Sequence, residues 1–166
     1  MRSYIRHDIL QLKATIVPDP ERETLGNVLA ECSHWSKEEA EAQTLSLCAG
    51  YGAMVAAGYP ADQAEAGSWD DFEKAEEIIK FWLLGTLPEW QAKAVEFMRR
   101  SENVRAVELI ATHLIEHGTL GGGYMDVLVS LADGETTEAE WQEYLRFRLQ
   151  TGRSSPADSG WLRAGR

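Results

Sequence analysis

His113-Leu-Ile-Glu-His117 is the segment of this chain whose residue types and spacing best suit chemistry. Two imidazoles four residues apart share one face of a helix, and Glu116 beside them completes a set of donor types that hold zinc. A simpler reading stands beside it: histidines in the last turn of a helix sit at the negative end of its dipole. Asp71 is an acid whose position has a local explanation. It closes Ser68-Trp-Asp-Asp71, which has the form of a capping box, so stabilising a helix N-terminus accounts for it without a metal. Asp70 is a further first-turn acid. No GxSxG elbow, dinucleotide fingerprint, P-loop or EF-hand loop is present, so no catalytic residue, metal or cofactor is assigned, and zinc at these histidines stays only an alternative. Gly121-Gly-Gly123 reads as following a helix rather than a strand and offers no phosphate cradle.

The elements that must position these residues are mostly helical. Ile5, Ile9 and Leu12 recur at helical spacing over Tyr4 to Leu12, which predicts a short first helix. Lys13 to Val17 reads as a strand stopped by Pro18-Asp-Pro20, with Thr24 to Cys32 as its return, forming a small hairpin. Ser36-Lys-Glu-Glu39 opens a helix running through Ala53 toward Gly58, with Pro60 beyond. Ser68 to Gly85 predicts the next helix, with Phe72, Ala75, Ile78, Ile79 and Trp82 inward. Thr86-Leu-Pro-Glu89 opens another with Trp90, Ala94, Phe97 and Met98 inward. Further helices follow over Val104 to His117, capped by Gly118, over Tyr124 to Leu131, and from Thr137 with Trp141, Tyr144, Leu145 and Leu149 inward. The expected fold is mainly α: one helical domain of about six helices over 1–151 with a small N-terminal β-hairpin. Residues 152–166 lack periodicity and read as a flexible tail that contains Trp161.

Composition limits the partners. The 166 residues carry 27 Asp and Glu against 16 Lys and Arg, a net charge of −11. That balance argues against direct binding of nucleic acid, whose phosphates require a basic surface. It suits a protein partner with a basic surface, although acids on solvated helix faces also simply keep a protein soluble. No apolar run is long enough to span a membrane, and charges interrupt the N-terminus where a signal peptide would need an apolar core. Cys32 and Cys48 read as reduced core thiols of a cytoplasmic protein. The Trp residues fall often enough at inward helix positions to be core.

Several segments, in order, resemble the peptidase domain of FtsH-type ATP-dependent zinc metalloproteases. Ala14-Thr-Ile-Val-Pro18 followed by Thr24-Leu-Gly-Asn-Val-Leu29 is similar to that family's hairpin beside the active site. Leu47-Cys-Ala-Gly-Tyr-Gly-Ala53 resembles its small-residue helix, and Asp71-Phe-Glu-Lys-Ala75 resembles the helix whose leading Asp is the third zinc ligand. Ala111 to Asp126 is similar to a late, noncatalytic segment. The resemblance spans about residues 13 to 135. It implies a zinc site built on HExxH, with two His ligands and a general-base Glu, in a helix ahead of the hairpin. Arg2 to Lys13 contains His7 and Asp8 but no HExxH.

The family resemblance without its metal helix implies a catalytically inactive metallopeptidase-like domain, truncated or degenerate, that works as a protein-binding or regulatory module. Two alternatives stay open. One is a small acidic inhibitor, phage or defence related, that occupies a basic nucleic-acid-binding surface of a partner protein. The other is a zinc-dependent peptidase using His113 and His117. Their HxxEH order is the spacing of inverzincin peptidases, which take a further Glu ligand from far downstream.

Overall fold

Proline, glycine and capping residues divide the chain where local chemistry requires it. The computed structural model describes residues 10–18, 27–31 and 36–150. Three strands and eight helices lie in that range. In order they are β1 (Leu10–Thr15), β2 (Asn27–Glu31), α1 (Lys37–Leu47), α2 (Ala49–Ala56), α3 (Ala61–Ala66), α4 (Trp69–Trp82), α5 (Leu87–Met98), α6 (Ser101–His117), β3 (Thr119–Gly121), α7 (Gly122–Ala132) and α8 (Glu138–Gln150). The protein is mainly α with an antiparallel N-terminal hairpin. No helix among the described residues is long and apolar enough to cross a membrane.

The hairpin pairs β1 with β2 from Leu10↔Glu31 to Thr15↔Asn27, with an irregularity between Gln11 and Lys13. Residues 10–12, expected to end a first helix, belong to β1 instead, and the remainder of that expected helix lies outside the described residues. A third strand extends the sheet to the order β2-β1-β3, through Lys13↔Gly121, Ala14↔Leu120 and Thr15↔Thr119. The glycine run thus follows a strand rather than a helix: Gly121 ends β3, and Gly122 and Gly123 open α7 as buried residues. The hydroxyls of Thr15 and Thr119 meet at 2.8 Å and tie the strand ends together. The first nine residues, Cys32, His34 and the segment from residue 152 on, with Trp161, lie outside the described residues.

The chain divides into two compact units, 1–9 with 32–104 and 10–31 with 105–166. In unit 1 the helix expected from Ser36 toward Gly58 forms as α1 and α2, separated by one residue, Cys48. Its N-terminus carries the expected reciprocal cap: the Glu39 N–H donates to Ser36 Oγ at 3.2 Å and the Ser36 N–H to Glu39 Oε2 at 2.9 Å. Gly58 closes α2 in the left-handed region, at φ 92°, where a side chain would be strained. Ala40, Ala64, Ala75 and Ala94 are fully buried around Tyr51, Phe72 and Trp90. Gly52 lets α2 and α5 meet backbone to backbone, because a Cβ there would lie 2.7 Å from the carbonyl of Ala94.

The Ser68 cap does not form. Ser68 has ψ 12° and makes no side-chain cap bond, so Asp71 contributes only its charge to the first turn. The cause is upstream. The short helix α3, absent from the sequence reading, ends two residues earlier and delivers Ser68 already bent, its N–H donating to Glu65 O at 3.0 Å.

In unit 2, α7 packs against β1 and β3, and α8 packs against α7. Ala14, Leu120, Tyr124, Met125, Leu128 and Trp141 form its core. Thr137 and Glu140 cap α8 reciprocally, at 2.7 Å and 3.3 Å. Leu149, read as inward, is exposed, and among the Trp residues, read in general as core, Trp69 in unit 1 faces solvent.

Candidate functional site

Helix α6 places His113, Glu116 and His117 on one face through the i, i+3, i+4 geometry of its last turns. One ligand atom from each lies within 4.8 Å of the others. The two imidazoles stack with centroids 5.8 Å apart and planes at 25°. Glu116 Oε2 stands 3.8 Å from His117 Nε2. His113 is half-buried, whereas Glu116 and His117 reach solvent. Gly118, at φ 73°, ends the helix directly after His117, and its N–H caps Leu114 O at 2.7 Å.

Two other helices hold the half-buried imidazole. The Tyr124 hydroxyl, from α7, lies 3.1 Å from His113 Nδ1. The Trp141 ring, from α8, meets His113 edge to face at 5.7 Å and Tyr124 at 5.4 Å. Tyr144 stacks on Trp141 at 5.6 Å. Arg148, almost fully buried, sits 5.3 Å over the Tyr124 ring and donates to the Tyr144 hydroxyl at 2.9 Å. The result is a continuous aromatic stack ending at a buried guanidinium.

The electrostatics follow from that burial. His113 is held below the usual imidazole range by desolvation and then by His117, with Glu116 opposing. Its neutral form, the one that coordinates a metal, is therefore favoured. Burial, reinforced by Tyr144, pushes the Tyr124 phenol up to about 12, so it stays protonated as a hydrogen-bonding group. The cluster can coordinate a divalent ion through two nitrogens and a carboxylate oxygen.

Asp71 belongs to unit 1. It is exposed and pairs with Lys74 at 3.7 Å. Its charge acts on Cys48, a buried free thiol raised to about 11, chiefly by burial and secondarily by Asp71. The sequence thus identified the histidine pair but not Tyr124, Trp141 or Arg148, which reach the site from other helices. A signal for Tyr124 existed: a lone phenol in the apolar run of α7 needs a polar partner when buried.

Compared with protein-family models, curated proteins and solved structures, the chain matches none.

Proposed function

We propose that this chain is a metallopeptidase-like helical domain that holds another protein rather than cutting it. The observation that carries this reading is the C-terminal end of α4. Phe81 is 79% exposed and Leu83 86% exposed, and Leu83 alone among the described non-glycine residues has positive φ, at 54°. Leucine in that conformation costs about 1–2 kcal/mol. The neighbouring residues impose it: Leu84 is buried, its N–H bonds Ile79 O at 3.1 Å, and its carbonyl accepts the Trp90 indole N–H at 2.9 Å. Holding Leu84 inward turns Leu83 outward.

Away from this apolar end the exposed side of the helix is acidic. Asp70, Glu73 and Glu77 are exposed along α4, with Lys74 and Lys80 as the cations. That face suits a partner offering an apolar pocket with basic residues at its rim. A second copy of the same acidic face would be repelled. The resemblance to FtsH-type peptidase domains draws support from the hairpin and from the close approach of α2 and α5 at Gly52.

Two measurements test the reading. Incubated with zinc and unfolded casein, the chain is expected to leave the substrate intact; chelator-sensitive cleavage would overturn the binding reading in favour of a zinc peptidase. A partner isolated by crosslinking is expected to bind at least tenfold more weakly to Phe81→Ser and Leu83→Gly variants that keep native circular dichroism; unchanged binding would sink this surface. A steep loss of affinity with salt that ignores both substitutions would favour the acidic inhibitor instead.

A further inference from the structure

The donor set on α6 goes beyond protein binding and belongs to unit 2, whereas the α4 surface belongs to unit 1. We propose that His113, Glu116 and His117 bind one divalent ion of the zinc class, with Tyr124 as the positioning residue for His113. Bonds of about 2.0–2.2 Å in a tetrahedral site put neighbouring donor atoms about 3.4 Å apart. Here His117 Nε2 and Glu116 Oε2 are 3.8 Å apart, and the three ligand atoms fall within 4.8 Å of one another. Small torsional adjustments close that difference, and the two exposed side chains are free to make them. The rigid helix supplies the rest, since residues at i and i+4 need no loop to bring them together.

Tyr124 adds an independent observation. Metal-binding histidines usually commit their second ring nitrogen to a hydrogen bond, which fixes tautomer and ring direction. The Tyr124 hydroxyl, 3.1 Å from His113 Nδ1, makes that contact. With Nδ1 carrying the proton and donating to the phenol oxygen, Nε2 presents its lone pair to an ion. Tyr124 is itself 2% exposed and wedged between Trp141 and Arg148, so its hydroxyl is fixed before any ion arrives. Three protein donors leave a fourth position open on the solvent side, for water or for a donor from a bound partner.

The test uses the full chain, stripped with chelator and titrated with Zn²⁺ and with Co²⁺ as a visible probe. One ion per chain is expected, with the absorption of tetrahedral Co²⁺. His117→Ala and Glu116→Gln, at exposed positions that should leave the fold intact by circular dichroism, are expected to abolish or weaken binding at least tenfold. Tyr124→Phe is expected to keep the stoichiometry and lose about 10–100-fold in affinity. In that variant the ¹⁵N shifts of His113 would also lose the fixed Nδ1–H tautomer. Absence of a bound ion in the native chain, or unchanged binding in both His117→Ala and Glu116→Gln, would overturn the site. An unchanged affinity and tautomer in Tyr124→Phe would overturn the positioning role.

Discussion

Unit 1 and unit 2 weight their cores differently. In unit 1 four alanines are fully buried and Gly52 brings helix backbones into contact, so much of its stability rests on close approach. Unit 2 instead buries Tyr124, Trp141 and, almost completely, Arg148. Aromatic groups with polar ends fill space and still present a hydroxyl or a cation at a fixed point. Unit 1 sets Tyr51, Phe72 and Trp90 among these alanines, but its indole N–H at Trp90 is taken up by the Leu84 carbonyl, and its buried thiol Cys48 is raised to about 11, so it stays protonated at neutral pH. The histidine cluster thus has buried polar-ended support within unit 2, while unit 1 presents Leu83 to solvent where the packing of Leu84 turns it outward.

The largest expected effect tests the aromatic core. Trp141 is buried and touches His113, Tyr124 and Tyr144, so Trp141→Ala should cost about 3–5 kcal/mol. Hydrogen exchange read helix by helix should show lost protection in α7 and α8 before α2 and α5. Equal loss in both units would break the comparison, because the two cores would then unfold as one.

A smaller effect should appear with opposite signs at two glycines of α2. At Gly52 an added Cβ meets Ala94 C and O at 2.7 Å, whereas nothing lies within 4 Å of the position at Gly50. Gly52→Ala is therefore expected to destabilise by about 1–3 kcal/mol through overpacking. Gly50→Ala should stabilise by about 0.5–1 kcal/mol, because alanine loses less conformational freedom in a helix. Urea midpoints of the two variants decide it; equal shifts would mean that unit 1 does not rest on this approach. In a Cys32→Ser background, Cys48 should then react with a thiol reagent only as fast as unit 1 opens, and Gly52→Ala should accelerate that reaction.

The sequence was most legible where structure is local. The β-branched run before Pro18 announces the hairpin, and the caps at Ser36 and Thr137 form because the donor and acceptor are three residues apart. Ser68 repeats the same signature and fails, since the preceding helix α3 sets its backbone. β3 was illegible for a different reason: three residues, Thr119–Gly121, carry no periodicity, and they pair with a strand more than a hundred positions away. The site divides in the same way. The histidine spacing is visible along one helix, but Tyr124 and Trp141 join it only through tertiary packing. Trp69 shows the limit of hydrophobicity as a guide, since a large apolar residue at the first turn of α4 faces water.

The smallest effect concerns Asp126 on α7, whose carboxyl burial raises above the usual carboxylate range. A folded-state value above the unfolded one means that the folded protein holds this proton more tightly. Its favourable contribution is present below the unfolded value of about 3.9 and is lost as pH rises through the folded value. Replacing the group by a neutral isostere removes that slope. The Asp126→Asn variant should therefore gain stability relative to the native chain as pH rises from about 4 toward neutral, then hold a constant difference. Urea unfolding at a series of pH values reads this directly. A difference independent of pH would mean that Asp126 has the same affinity for its proton in both states, and that the polar ends in unit 2 are better solvated than its packing indicates.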